Sequence, residues 1–93
     1  MAIQSFAHKG LEAFFRTSSK AGIQPRHAPK LSMILALLDS AACPLDVDAP
    51  GLHLHALTGN LAGYWAVTVQ ANWRVIFGFG DRGAELVDYL DYH

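Results

Sequence analysis

Two spacings of apolar residues divide this chain. Within 8–17, Leu11, Phe14 and Phe15 fall at i, i+3 and i+4, and within 28–42 Leu31, Ile34, Leu35 and Leu38 repeat that stripe. Apolar positions recurring every 3.6 residues predict two amphipathic helices. The first stops at Ser18-Ser19-Lys20-Ala21-Gly22, where Gly22 suits a left-handed turn. The second starts near Ala28 or Pro29, because proline removes no hydrogen bond in the first helical turn, and ends by Ala42, ahead of Pro44. Residues 43–51 read as a connecting loop.

Beyond residue 51 the period changes. Segments 52–57, 64–70, 73–79 and 85–90 are rich in β-branched and aromatic side chains. The connections at 58–63, 71–72 and 80–83 are short and contain Gly or Asn, which favours antiparallel hairpins. Residues 2–6 alternate well enough for a short opening strand. The predicted order is β-α-α-β-β-β-β, an α+β fold with two N-terminal helices packed on one face of an antiparallel sheet. A length of 93 residues without repeats or linkers predicts one domain over 1–93.

Strand parity sorts the side chains, since successive residues point to opposite faces. Trp65, Val67 and Val69, then Trp73, Val75, Phe77 and Phe79, form the set expected to meet the helices. The other parity gathers His53, His55, Leu57, Tyr64, Thr68, Gln70, Arg74, Ile76, Asp88, Leu90 and Tyr92 on an uncovered, mixed face.

Composition narrows the classes of function. With 52% apolar and 16% charged residues, the chain is not disordered. Its longest apolar run, 33–38, is far short of the ~20 residues that span a bilayer, so no membrane partner is expected. No basic start leads into an apolar stretch with a cleavage site. The lone Cys43 cannot form an internal disulfide, so a cytoplasmic location is expected. No nearby basic residue would activate that thiol. Residues 1–38 carry five basic residues against Glu12, a net +4, whereas 39–93 carry Arg74 and Arg82 against seven acidic residues, a net −5. Such a split signals either a polyanion-facing half or two ordinary solvated surfaces. The total of −1 lacks the basic excess of an autonomous nucleic-acid binder.

The uncovered face invites a chemical reading. His53-x-His55 puts two imidazoles on one strand face, a weak metal signal with no second pair and no cysteine cluster. No metal and no cofactor is assigned. Arg74 either grips a phosphate with two parallel hydrogen bonds or pairs across strands with an acidic neighbour such as Asp88. The tail Asp88-Tyr89-Leu90-Asp91-Tyr92-His93 ends in three groups capable of proton chemistry. Together these residues suit metal-free cleavage of RNA, which needs a base for the 2′-OH, a cation for the phosphorane and an acid for the leaving oxygen. The 2′-OH is an internal nucleophile, so no activated Ser or Cys is required.

Several blocks resemble the HigB "killer protein" toxins of the RelE/ParE superfamily, and the resemblance runs through essentially the whole chain. The blocks are Ser5-Phe6-x-His8-Lys9-Gly10-Leu11, Lys20-Ala21-Gly22-Ile23-Gln24-Pro25, Leu54-His55-x-Leu57-x-Gly59 and Gly63-Tyr64-Trp65-x-Val67-x-Val69. Ala71-Asn72-Trp73-Arg74 and Val87-Asp88-Tyr89-x-Asp91-Tyr92-His93 complete the set and are the most specific. The resemblance implies a RelE-like, microbial-RNase-type fold and the toxin half of a type II toxin–antitoxin pair. It also implies a ribosome-dependent endoribonuclease that cuts mRNA in the ribosomal A site. The implied partner is a HigA-like antitoxin with a helix-turn-helix domain, and operator DNA is reached only through that antitoxin.

Carried over position by position, the functional residues fall on His55, Asn72, Arg74, Asp91, Tyr92 and His93. His55 becomes the base or proton shuttle and Arg74 the phosphate clamp. Tyr92 and His93 orient the scissile nucleotide or assist proton transfer, and Asn72 and Asp91 contact RNA. The resemblance gives no role to His53, which stays outside the catalytic set. The chain departs from the family pattern at Thr58, where a Lys is typical, in the loop that follows, where an Arg is usual, and at Gln70, where a basic residue is common. Fewer cations weaken polyanion binding. A second expectation therefore stands beside the first: a catalytically weakened toxin homologue that acts mainly as an antitoxin-binding module in an operator-bound complex.

Overall fold

An imidazole opens the first helix. In the computed structural model, which describes residues 2–91, α1 (Lys9–Thr17) begins behind His8, whose Nδ1 accepts the Leu11 N–H at 2.9 Å. That bond satisfies one of the donors every helix start leaves unpaired. At the other end Ser18 adopts the left-handed conformation, φ 65°, and donates its N–H to the Phe14 carbonyl. The left-handed turn therefore falls at Ser18, four residues before the glycine the sequence suggests. Gly22 serves a different purpose: a β-carbon on it would lie 2.5 Å from the Gly10 Cα, so the absence of side chains lets this loop close onto the start of α1.

A 3₁₀ turn, Pro25–His27, leads into α2 (Ala28–Ser40), which carries Pro29 in its first turn as expected. It buries Ala28, Leu31, Ile34, Leu35 and Leu38. A second 3₁₀ turn, Pro44–Val47, follows in the loop that holds the exposed Cys43.

The sheet is antiparallel throughout, in the order β1 (His55–Ala56), β2 (Tyr64–Gln70), β3 (Trp73–Gly80), β4 (Gly83–Asp91). Both helices cover one face. Val67, Val69, Val75 and Phe77 form the core with Leu11, Leu31, Ile34, Leu35 and Leu38, and Trp65, Trp73 and Phe79 pack against it, as the alternation predicts. The fold is thus the α+β arrangement expected of a RelE-like toxin. No helix of the described residues is long and apolar enough to cross a membrane.

Two predicted strands are shorter in the structure. The opening segment does lie along β4: Gln4 N–H donates to the Ala84 carbonyl, Val87 N–H to Ser5 O and Ala7 N–H to Val87 O. Yet only one parallel bridge, Phe6 to Val87, qualifies as pairing. The cause is a bulge in β4. Ile76 pairs with Asp88 and Gly78 with Glu85, so Leu86 and Val87 together face Phe77. Leu86 stands at φ 52°, and a regular ladder cannot form on an edge kinked in this way. Segment 52–57 is likewise reduced to two ladder residues. His53 at φ 53° breaks the pleat, although the Leu52 carbonyl still accepts the Thr68 N–H at 2.7 Å.

Candidate active site

Register locates the chemistry. His55 pairs with Ala66, Ala66 with Ile76 and Ile76 with Asp88, a single row across all four strands. Row partners share a face, and neighbours in the core set occupy the other, so His55 projects from the face the helices leave open. Arg74 belongs to the next row, between Thr68 and Leu90, on that same face. Two strand spacings and one two-residue step separate the His55 and Arg74 backbones by roughly 12 Å. A phosphate lying between them is within reach of both side chains.

The local backbone sets the contacts of each group. His55 is exposed, and its Nδ1 lies 2.9 Å from the His53 carbonyl oxygen. A carbonyl only accepts, so Nδ1 carries a proton, and Nε2 is the ring atom that is open to accept one in the neutral form. The left-handed turn at His53 accompanies this contact. It also takes His53 out of the strand, so the alternation that would place both imidazoles on one face does not apply. Among the described residues, no group of three or more His, Cys, Asp or Glu side chains is arranged to hold a metal ion.

The Arg74 guanidinium folds onto the β2–β3 hairpin, where Nη1 donates to the carbonyls of Ala71 at 2.5 Å and Trp73 at 3.2 Å. Its expected alternative partner, Asp88, instead accepts the Tyr89 N–H through Oδ1 at 2.9 Å. No ion pair joins the two. Asn72 sits in the same hairpin, and Asp91 pairs with Trp73 at the same end of the sheet. Asp91 thereby shares the parity of a residue that packs against the core, and leaves the sheet on the side opposite His55 and Arg74. Tyr92 and His93 lie outside the described residues. Thr58, exposed, opens the 3₁₀ turn Gly59–Leu61 and brings no charge to this surface.

Beneath the hairpin lies a polar network that the strand pattern does not reveal. Gln70 has the open-face parity, but a register shift between Thr68 and Gln70 turns it to the helical side. There its Oε1 lies 3.0 Å from His27 Nε2. His27 is buried, and its Nδ1 lies 2.7 Å from the Tyr89 hydroxyl, which itself accepts the Gln24 N–H at 3.3 Å. An amide oxygen only accepts, so Nε2 is protonated, Nδ1 is bare, and Tyr89 donates to it. Trp73 stacks on the Tyr89 ring at 4.7 Å between centroids and meets His27 edge-on at 5.5 Å. Burial pushes the Tyr89 phenol above its ordinary pKa, opposed by the Gln24 N–H and the positive charge of Arg26. This network anchors the strand that carries Arg74. The available sequence signal is that Tyr89 has core parity, and a buried phenol needs a partner.

Two helices on one face of a four-stranded antiparallel sheet, with His55 and Arg74 on the other, define a RelE-like toxin. Residues 4–93 match the family described as "RelE-like toxin of type II toxin-antitoxin system HigB". The chain is 35% identical over 91 residues to "Endoribonuclease HigB" of Proteus vulgaris, covering 98% of this chain and 99% of that protein. It is 34% identical over 95 residues to "Toxin HigB-1" of Vibrio cholerae serotype O1, covering 100% and 98%. The chain belongs to the HigB-like toxin family of type II toxin–antitoxin systems, and membership implies an antitoxin partner.

Proposed function

We propose that this chain is an endoribonuclease that cuts mRNA on the ribosome, using His55 as base and Arg74 as phosphate clamp. The observation that carries the reading is the exposed His55 ring, held through Nδ1 on the His53 carbonyl and set on the same sheet face as Arg74, which leaves Nε2 as the atom to accept a proton. The name of the Proteus vulgaris relative supports the same activity. His55 Nε2 takes the proton of the 2′-OH, and the alkoxide attacks the adjacent phosphorus. Arg74 leaves its hairpin carbonyls to pair with the non-bridging oxygens as charge builds on the phosphorane. The 5′-oxygen departs with a proton supplied from Tyr92 or His93, whose chain positions follow Asp91 and the β4 end. Asn72 contacts the RNA at the hairpin, and Asp91, which leaves the sheet on the opposite side, meets RNA that wraps past the end of the sheet. The chain acts as one domain in the cytoplasm, with a HigA-like helix-turn-helix protein as its antitoxin and no contact of its own with operator DNA.

A weakened toxin that serves mainly as an antitoxin-binding module is the second reading. It is favoured by the uncharged Thr58 and by Gln70, which is committed to His27 rather than to the open face. Induced expression of the wild type beside His55→Ala and Arg74→Ala, with growth and mRNA 5′ ends followed, separates the two. Growth arrest and new mRNA ends with the wild type alone support the nuclease. If all three soluble chains leave growth and mRNA intact, the nuclease reading fails.

A further inference from the structure

A cavity of about 300 Å³ opens on the uncovered face beside the His55 row. Ile76 is among its lining residues with Tyr64, Leu61, Leu86 and Leu90, and Asp88 is the charged group in its wall. These apolar side chains are not covered by the helices, which pack on the opposite face. Leu86 is 43% exposed and holds a left-handed backbone that L-residues rarely adopt. The β4 bulge sets that conformation and leaves the leucine side chain at the cavity wall.

We infer that this cavity holds one base of the RNA, beside the phosphate addressed by His55 and Arg74, and that Asp88 selects bases bearing an exocyclic amine. The inference rests on the ribonuclease reading for the identity of its ligand. Three observations support it. Tyr64 lies across a glycine: a β-carbon on Gly78 would stand 3.5 Å from the Tyr64 ring, so the ring is held against the sheet. Aromatic and aliphatic walls of this kind take up the flat face of an unpaired base. Asp88 uses Oδ1 for the Tyr89 N–H, and no described residue donates to Oδ2. A carboxylate accepts and cannot donate, so it favours the amino edge of adenine, cytosine or guanine. Uracil offers its N–H only between two carbonyl oxygens, which repel a carboxylate. Position is the third observation. Ile76 shares the row of His55 and stands two residues from Arg74, a step of roughly 6.6 Å. That places the cavity within one nucleotide of the proposed cleavage point.

The test titrates the full chain with AMP, CMP, GMP and UMP and follows the Tyr64 ring and the Leu86 and Leu90 methyls by NMR. It needs no cleavage, so it is independent of the nuclease reading. The three amino-bearing nucleotides shift these signals with about tenfold higher affinity than UMP, and Asp88→Asn, which can both donate and accept, erases the difference. Equal affinity for all four in the wild type overturns the inference. So does a discrimination that survives Asp88→Asn, or a set of signals that ignores nucleotides and responds only to an antitoxin. A chain that binds in this way yet cuts no mRNA keeps the cavity assignment and loses the nuclease reading.

Discussion

The Tyr89 hydroxyl, from β4, donates a 2.7 Å hydrogen bond to Nδ1 of His27, the buried residue that precedes α2. This bond joins the sheet to the helical layer at one point and carries the hairpin strand with it, through Gln70 on the other ring nitrogen and Trp73 stacked on the phenol. Tyr89→Phe keeps the ring and strands both the His27 Nδ1 lone pair and the Gln24 N–H. Chemical denaturation at neutral pH is expected to show a loss of about 1–3 kcal/mol.

The same phenol gives the fold an alkaline limit. Its folded pKa is raised by burial above that of a free tyrosine, about 10. The unfolded chain therefore releases the proton first. This contribution to stability is fully present below the unfolded value and is lost as pH rises through the folded one. Urea midpoints measured upward from pH 9 should fall more steeply for the wild type than for Tyr89→Phe. Parallel curves would remove Tyr89 from the explanation.

Gly10 and Gly22 approach too closely for any side chain between them. A β-carbon on Gly10 would lie 2.8 Å from the Gly22 Cα and from its carbonyl oxygen. Replacing a helical glycine with alanine ordinarily stabilises a helix by about 1 kcal/mol. Here Gly10→Ala should do the reverse and cost about 1–3 kcal/mol, because backbone must move. A raised melting temperature for Gly10→Ala would show that the loop yields freely.

Thr58 tests whether lost cations limit RNA binding. Thr58 is exposed at the start of its turn, so Thr58→Lys adds charge without disturbing the core. If the RNA passes this point, binding of a single-stranded oligoribonucleotide tightens. Its dependence of log K on log salt then steepens by about 0.7, the value for one added phosphate contact. An unchanged slope puts the RNA path elsewhere.

How much of this was legible in the sequence depends on what each feature rests on. Both helices and three of the four sheet strands follow from apolar period, and the face assignment of Val67, Val75 and Phe77 follows from alternation alone. The boundaries failed where single residues enter the left-handed region. His53 cut short the strand before the first hairpin, and Leu86 kept residues 2–6 from forming a ladder. Periodicity has no term for such kinks. The open-face placement of His55 and Arg74 was readable as parity. The His53 carbonyl that sets the His55 tautomer was not, because it depends on a left-handed turn. His27 is hidden from local pattern for a similar reason: its partners lie 43 and 62 residues away in the chain.

The most direct test is the rate at which purified chain cleaves mRNA bound to programmed ribosomes under single-turnover conditions, compared with His55→Ala of unchanged melting temperature. Removal of the base should slow cleavage by about 10²–10⁴-fold. Arg74→Lys should fall well below wild type, since a lysine keeps the charge and loses the paired donors. Cleavage by His55→Ala at the wild-type rate would contradict the proposal that this imidazole activates the 2′-OH.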